Sequence, residues 1–226
     1  MAETMTPKFW QLTYPLNQRP LERAARPGYE ETPCPATGRH ATLKRVGDLR
    51  VIPHPLGLRD FTWTWLSDML ISPRALALFQ RHRITGFEVR KVEAEYPKPI
   101  QARAPELYEV MVTGWAGWPA REAGLSVLRS CPACGDRLFS IAHPGHLIDP
   151  TAWDGSDIFI VWPLPRYRFV SDRLARIIRH EKLSGAKLLP LQNIRMKPGA
   201  EIDAGSLLQW MPEERATLLR QQFGVY

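Results

Sequence analysis

Three cysteines carry the clearest chemical signal in this 226-residue chain, and two of them form a tight turn, Cys131-Pro132-Ala133-Cys134-Gly135-Asp136. A Cys-Pro-x-Cys-Gly turn sets two thiolates on one side of a bend, and two such turns brought together make a tetrahedral site for zinc. The same turn occurs once upstream as Cys34-Pro35-Ala36-Thr37-Gly38, with threonine in place of its second cysteine. Threonine is a poor zinc ligand, so Cys34, Cys131 and Cys134 supply three sulfurs of a four-ligand set. His40, six residues past Cys34, is the first candidate for the fourth position, with His143 and His146 behind it. The competing reading is a degenerate site that keeps the turn and has lost the metal. A redox Cys-x-x-Cys lacks the βαβ context that such a motif requires. An odd number of cysteines does not make a disulfide framework.

Other chemistries leave no trace in the pattern. There is no phosphate-binding glycine loop, nucleophile elbow, kinase signature or His-rich catalytic zinc motif. Asp149, Asp154 and Asp157 lie around Trp153, where they decorate a loop. Not an enzyme is the expectation.

Two elements position the cysteine turns. Each turn sits in polar or alternating sequence that suits a zinc-ribbon hairpin, Ala41 to Val46 after the first, Ser126 to Arg129 and Leu138 to Ile141 around the second. Downstream, each half repeats a strand, a helix and a strand. Ser72-Pro73-Arg74 opens a run that ends in Ile84-Thr85-Gly86, and Ser171-Asp172-Arg173 opens one that ends in Leu183-Ser184-Gly185, 99 residues later. Serine accepts from free backbone N–H groups at a helix start, proline loses nothing at the first helical position, and a glycine suits a left-handed stop.

The expected fold is therefore α+β. It comprises two diverged strand-helix-strand repeats, each preceded by a zinc-ribbon-like cysteine hairpin, in one compact unit. Residues 1–100 hold the first repeat, and residues 101–226 hold the second with a C-terminal helix opened by Pro212-Glu213-Glu214. Phe9 to Tyr14 reads as an initial strand and Phe61 to Leu66 as a strand with alternate aromatics facing the core. Asn17 to Pro33 reads as a polar loop with a helical turn around Leu21 to Ala25, and Glu95 to Pro105 as a proline-rich connector.

The net charge of +7 resides in one segment, because residues 166–197 carry nine Lys or Arg against Asp172 and Glu181. That is either a solvated helix face or a partner surface. No run approaches the roughly 18 apolar residues of a membrane span. Nor does the N-terminus hold an apolar signal core, which predicts a cytoplasmic protein with no membrane partner.

Paired Cys-Pro-x-x-Gly turns, an early Phe9-Trp10, and Phe169-Val170-Ser171-Asp172-Arg173-Leu174 followed by Leu183-Ser184-Gly185 resemble the double-CXXCG motif proteins of myxobacteria, a family that includes immunity proteins of the Sit toxin-exchange system. The resemblance runs from Phe9 to about Leu191 and departs at Thr37. It implies a cytoplasmic protein of kin discrimination that binds and neutralises a cognate polymorphic toxin delivered by sibling cells. Tight complexes need anchors of aromatic or arginine type, which directs attention to Arg173, Arg176, Arg179 and Tyr167. The alternative is a nucleic-acid-binding zinc-ribbon protein, supported by the charge excess.

Overall fold

The computed structural model describes residues 8–18, 20–23, 28–53, 58–96 and 106–225. Among them it is a mixed α+β fold, mostly short strands with three helices, and no helix is long and apolar enough to cross a membrane.

Helix α1 spans Pro73–Arg81 and α2 spans Asp172–His180. Each starts as its sequence dictates. The Ser72 hydroxyl accepts from the Ala75 N–H, and the Ser171 hydroxyl accepts from the Leu174 N–H, which satisfies a free donor of the first turn. Ala75, Leu78 and Phe79 on α1 and Leu174, Ala175 and Ile178 on α2 are buried in the largest core. The left-handed stop is not at the glycines, as the sequence pattern predicts, but three residues earlier, at Arg83 (φ 50°) and Lys182 (φ 52°). Gly86 and Gly185 serve a different need. A Cβ on Gly86 would overlap the Ile158 carbonyl, and one on Gly185 would overlap the Phe61 carbonyl. Both also hold positive φ, 86° and 80°. Gly86→Ala and Gly185→Ala are therefore expected to cost more than about 1–3 kcal/mol each, read as a fall in the urea midpoint. Gly38→Ala, with open space around its Cβ, should cost less.

Those close approaches join two sheets. One has the order 61–63, 69–71, 108–112, 87–91, and the other the order 114–115, 158–160, 168–171, 9–13, 187–190. Thus the strand Tyr108–Val112 lies inside the sheet of the first half, and the strand Phe9–Thr13 inside that of the second. Gln11 pairs with Phe169 and Leu189, and Glu109 pairs with Leu70 and Arg90. The division near residue 100 is therefore no boundary between sheets. At the sheet ends the Phe61 N–H donates to the Ser184 carbonyl (2.9 Å), and the Ile158 N–H donates to the Thr85 carbonyl (3.1 Å).

Two aspartates secure this junction. Asp60 accepts from the Ser72 hydroxyl (3.0 Å), from Arg74 (2.8 Å), and from the Ser184 N–H (2.8 Å) and hydroxyl (2.9 Å). Asp157 accepts from the Ser171 hydroxyl (2.7 Å), from Arg173, and from the Thr85 N–H (3.2 Å). Each arginine then reaches the far helix end, Arg74 donating to the Glu181 carbonyl and Arg173 to the His82 carbonyl. Asp157, 4% exposed, is thus no loop decoration.

The strand Tyr29–Pro33 occupies sequence that reads as loop. It pairs with Ala41–Arg45 in a two-stranded hairpin and is itself exposed at every position but Tyr29, so it needs no apolar alternation to form. Glu22–Arg23 is a short strand where a helical turn was expected, and Ala25 lies outside the described residues. So does the connector from residue 97 to 105. The aromatic strand from Phe61 stops at Trp63 with all three residues buried. It stops because the Thr64 hydroxyl accepts from the Leu66 and Asp68 N–H groups and pairs with the Asp68 carboxylate. Such side-chain bonds compete with the strand ladder. Helix α3, Glu213–Phe223, ends at Gly224 (φ 59°).

Candidate metal centre

Two hairpins present the cysteine turns. In the first, Pro33 pairs with Ala41, and the turn between them is closed by Cys34 N–H to the His40 carbonyl (2.8 Å) and Gly38 N–H to the Cys34 carbonyl (2.9 Å). In the second, Ser130 pairs with Arg137, and the turn is closed by Cys131 N–H to the Asp136 carbonyl (2.8 Å) and Gly135 N–H to the Cys131 carbonyl (2.9 Å). Gly38 and Gly135 take positive φ, 61° and 77°, which an L side chain resists. The first closure is one residue longer, and its last residue is His40.

The hairpins are anchored separately. Phe139 and Ile141 of the second are buried, and its strand Arg137–Ile141 also pairs with Ile202–Asp203. The first is tied down by Arg45, which makes a two-armed ion pair with Glu109, its second arm 2.7 Å, both residues almost fully buried. Burial raises the Glu109 carboxyl, against the pull of the Arg45 guanidinium. Lys44 adds a 2.8 Å ion pair to Glu213 of α3.

With both tips so held, Cys34, His40, Cys131 and Cys134 converge, their donor atoms all within 4.8 Å of one another. Cys34 Sγ lies 3.7 Å from Cys131 Sγ, and His40 Nε2 lies 2.9 Å from Cys134 Sγ. Two sulfurs bound to one zinc at about 2.3 Å in a tetrahedron stand about 3.8 Å apart, so the sulfur spacing fits. The group could hold a metal ion, and a three-cysteine, one-histidine set is compatible with zinc. Cys34 is buried, while His40, Cys131 and Cys134 are half-buried. The Thr37 hydroxyl beside the sulfur is the main cause that lowers the Cys34 thiol to about 6, whereas burial raises Cys134 to about 11. Thr37 thus contributes to the thiolate of its own turn without being in the donor group. His143 and His146, on the turn at Pro144–His146, are not in the cluster.

The four surface candidates separate into different roles. Arg173 is committed to Asp157 and the His82 carbonyl. Arg179 lies over the Trp10 ring at 4.1 Å. Arg176 is exposed and pairs with its own Asp172 at 3.1 Å. Tyr167 stacks on Phe169, and burial raises its hydroxyl. Of the basic run, Arg168 is wholly buried, bonds the Pro165 carbonyl, and is lowered to about 10 by burial. Trp115 is core as well, 2% exposed, and Trp118 packs on Phe139.

A cavity of about 390 Å³ lies between the loop at Pro163–Tyr167 and residues 200–203, with Met196, Tyr167 and Ile202 among its walls. Its lining is mainly apolar.

Sequence reasoning missed Asp60, Asp157, Arg45 and Glu109. Single acids and arginines carry no spacing signature, and each of these has a partner 64 to 124 residues away. Compared with protein-family models and with curated proteins, the chain matches none.

Proposed function

We propose that Cys34, His40, Cys131 and Cys134 bind a structural zinc ion that staples two copies of one duplicated unit. The resulting rigid protein binds and neutralises a toxin delivered by sibling cells. The observation that carries this reading is the convergence of two donors from each cysteine turn, across 97 residues of sequence. Duplication is further supported by the matched bonds of Asp60 and Asp157 and by the matched strand orders of the two sheets. Bound there, zinc would supply a cross-link and no reaction, since all four positions are filled by protein donors. The chain's own residues do the rest: Gly38 and Gly135 shape the turns, and Arg45 and Glu109 hold one hairpin against the sheet.

The toxin part of the proposal rests on the resemblance to the double-CXXCG family and on a scaffold in which the buried Asp60 and Asp157 hold the halves together. A binding protein in the cytoplasm, rather than an enzyme, follows from it. The nucleic-acid alternative loses support, because Arg168 is buried, Arg173 is internally bonded and Arg179 lies on Trp10.

The test is co-expression of the toxin domain encoded beside this protein's gene, with and without the protein, scored by surviving cells. Rescue from the cognate toxin and not from an unrelated one supports the proposal. No rescue and no complex overturns it. Salt separates the two partners further. A phosphate-binding surface loses about 10³-fold or more in affinity between roughly 50 and 200 mM salt, whereas a toxin complex with a desolvated centre is expected to lose less than about tenfold.

A further inference from the structure

The three sulfurs of the metal centre are not equivalent. Cys134 faces His40, 2.9 Å from its Nε2. Cys131 faces Cys34 at 3.7 Å, the corresponding cysteine of the other turn. Cys34 is 3% exposed, whereas Cys131 and Cys134 are both half-buried, so within the Cys34–Cys131 pair an oxidant arriving from solvent reaches Cys131 first.

We propose that this is an oxidation site, at which peroxide converts the metal staple into a covalent one, the disulfide Cys34–Cys131. The inference takes the zinc reading above as its starting state. The Cys131 sulfur attacks peroxide, the O–O bond breaks, and a sulfenic acid forms as hydroxide leaves. The Cys34 thiolate then displaces the second hydroxide from the Cys131 sulfur and forms the S–S bond. Two thiolates have lost two electrons, and peroxide, with two protons from solvent, has become two waters. His40 and Cys134 are left as two ligands of four, too few for a structural zinc site, so the metal departs. The halves remain joined at the same point, because the new bond links the same two turns.

Two features favour this pairing over Cys131–Cys134. The sulfurs must close from 3.7 Å to about 2.05 Å, and both sit at hairpin tips, where the motion is a tilt of two turns rather than a change within one. Closing Cys131 on Cys134 would instead act inside a turn already fixed by the bonds Cys131 N–H to Asp136 and Gly135 N–H to Cys131.

The experiment uses the full-length chain. Zinc in the reduced protein is measured first; the protein is then treated with a small excess of hydrogen peroxide. Metal release is followed with a chelating dye, and unreduced peptides are mapped by mass spectrometry. The expected result is loss of the bound zinc, a chain lighter by two hydrogens, and a cross-linked peptide pair containing Cys34 and Cys131. A thiol reductant with added zinc should reverse all three. The Cys134→Ala variant should still form this cross-link, and Cys34→Ala should lose it. A Cys131–Cys134 bridge, or sulfinic acid on Cys131 without any bridge, overturns the proposal. Reduced protein without zinc would refute the zinc reading alone, since the peptide map still decides the pairing. Oxidised protein should also melt above metal-stripped reduced protein, and an equal or lower melting temperature would overturn the replacement of one staple by the other.

Discussion

Cys131→Ser and Cys134→Ser are each expected to abolish metal content and to lower the melting temperature by roughly 8–16 °C. A ligand that binds only the folded state at about 1,000 times its dissociation constant contributes about 4 kcal/mol. For a chain of this size each kcal/mol is worth about 2–4 °C. Serine removes one donor of four from a group whose atoms lie within 4.8 Å of each other, and a three-ligand remnant does not hold a structural zinc. His40→Ala should behave the same way. A rescue separates loss of metal from loss of fold. Thr37 stands in the first turn where Cys134 stands in the second, with its hydroxyl beside the Cys34 sulfur. Thr37→Cys in the His40→Ala background is therefore expected to restore metal binding. Metal content by plasma mass spectrometry and melting by circular dichroism check both statements. Unchanged stability of metal-free protein would sink the structural role.

The second large effect sets two tryptophans against each other. Trp65 and Trp162 stand at corresponding places in the two halves, 97 residues apart, each just after a core strand, 61–63 or 158–160. Trp162 is 2% exposed and belongs to the largest core, together with Leu207, Met211 and Leu219 of the C-terminal segment. Trp65 is 63% exposed on the turn between Thr64 and Asp68. Trp162→Ala should cost about 3–5 kcal/mol through lost burial and the cavity left behind. Trp65→Ala should stay within about 0.5 kcal/mol, as exposed substitutions do. Equilibrium urea unfolding of the two variants measures the difference, and equal losses would refute the contrast in burial between these residues.

Much of the candidate site is legible in the sequence alone, for a physical reason. A metal ligand must be one of a few side-chain types at short spacing, and the repeated Cys-Pro-x-x-Gly turn displays that constraint locally. His40 could be singled out because it is the nearest competent donor to the turn that lacks a cysteine. The helices were equally legible, since their caps at Ser72 and Ser171 and their apolar faces are local properties. The strand Tyr29–Pro33 was not, because a strand exposed on both faces carries no hydrophobic period. Arg173 is legible as an exposed arginine on a helix, but its bonds to Asp157 and to a carbonyl of the other half are not, because both partners are fixed only by the fold.

The amino-acid order by itself determined the metal-competent side chains, the turns that present them, the two capped helices and the 99-residue spacing between them, because each follows from neighbours within a few residues. Only the tertiary structure decided that the strands at 9–13 and 108–112 change places between the halves. It alone decided that Asp60 and Asp157 clamp the junction and that one of two corresponding tryptophans is core while the other faces water. Strand partners, buried ion pairs and exposure depend on groups dozens of residues away, and the free energy of each is set by what folds against it rather than by its place in the chain.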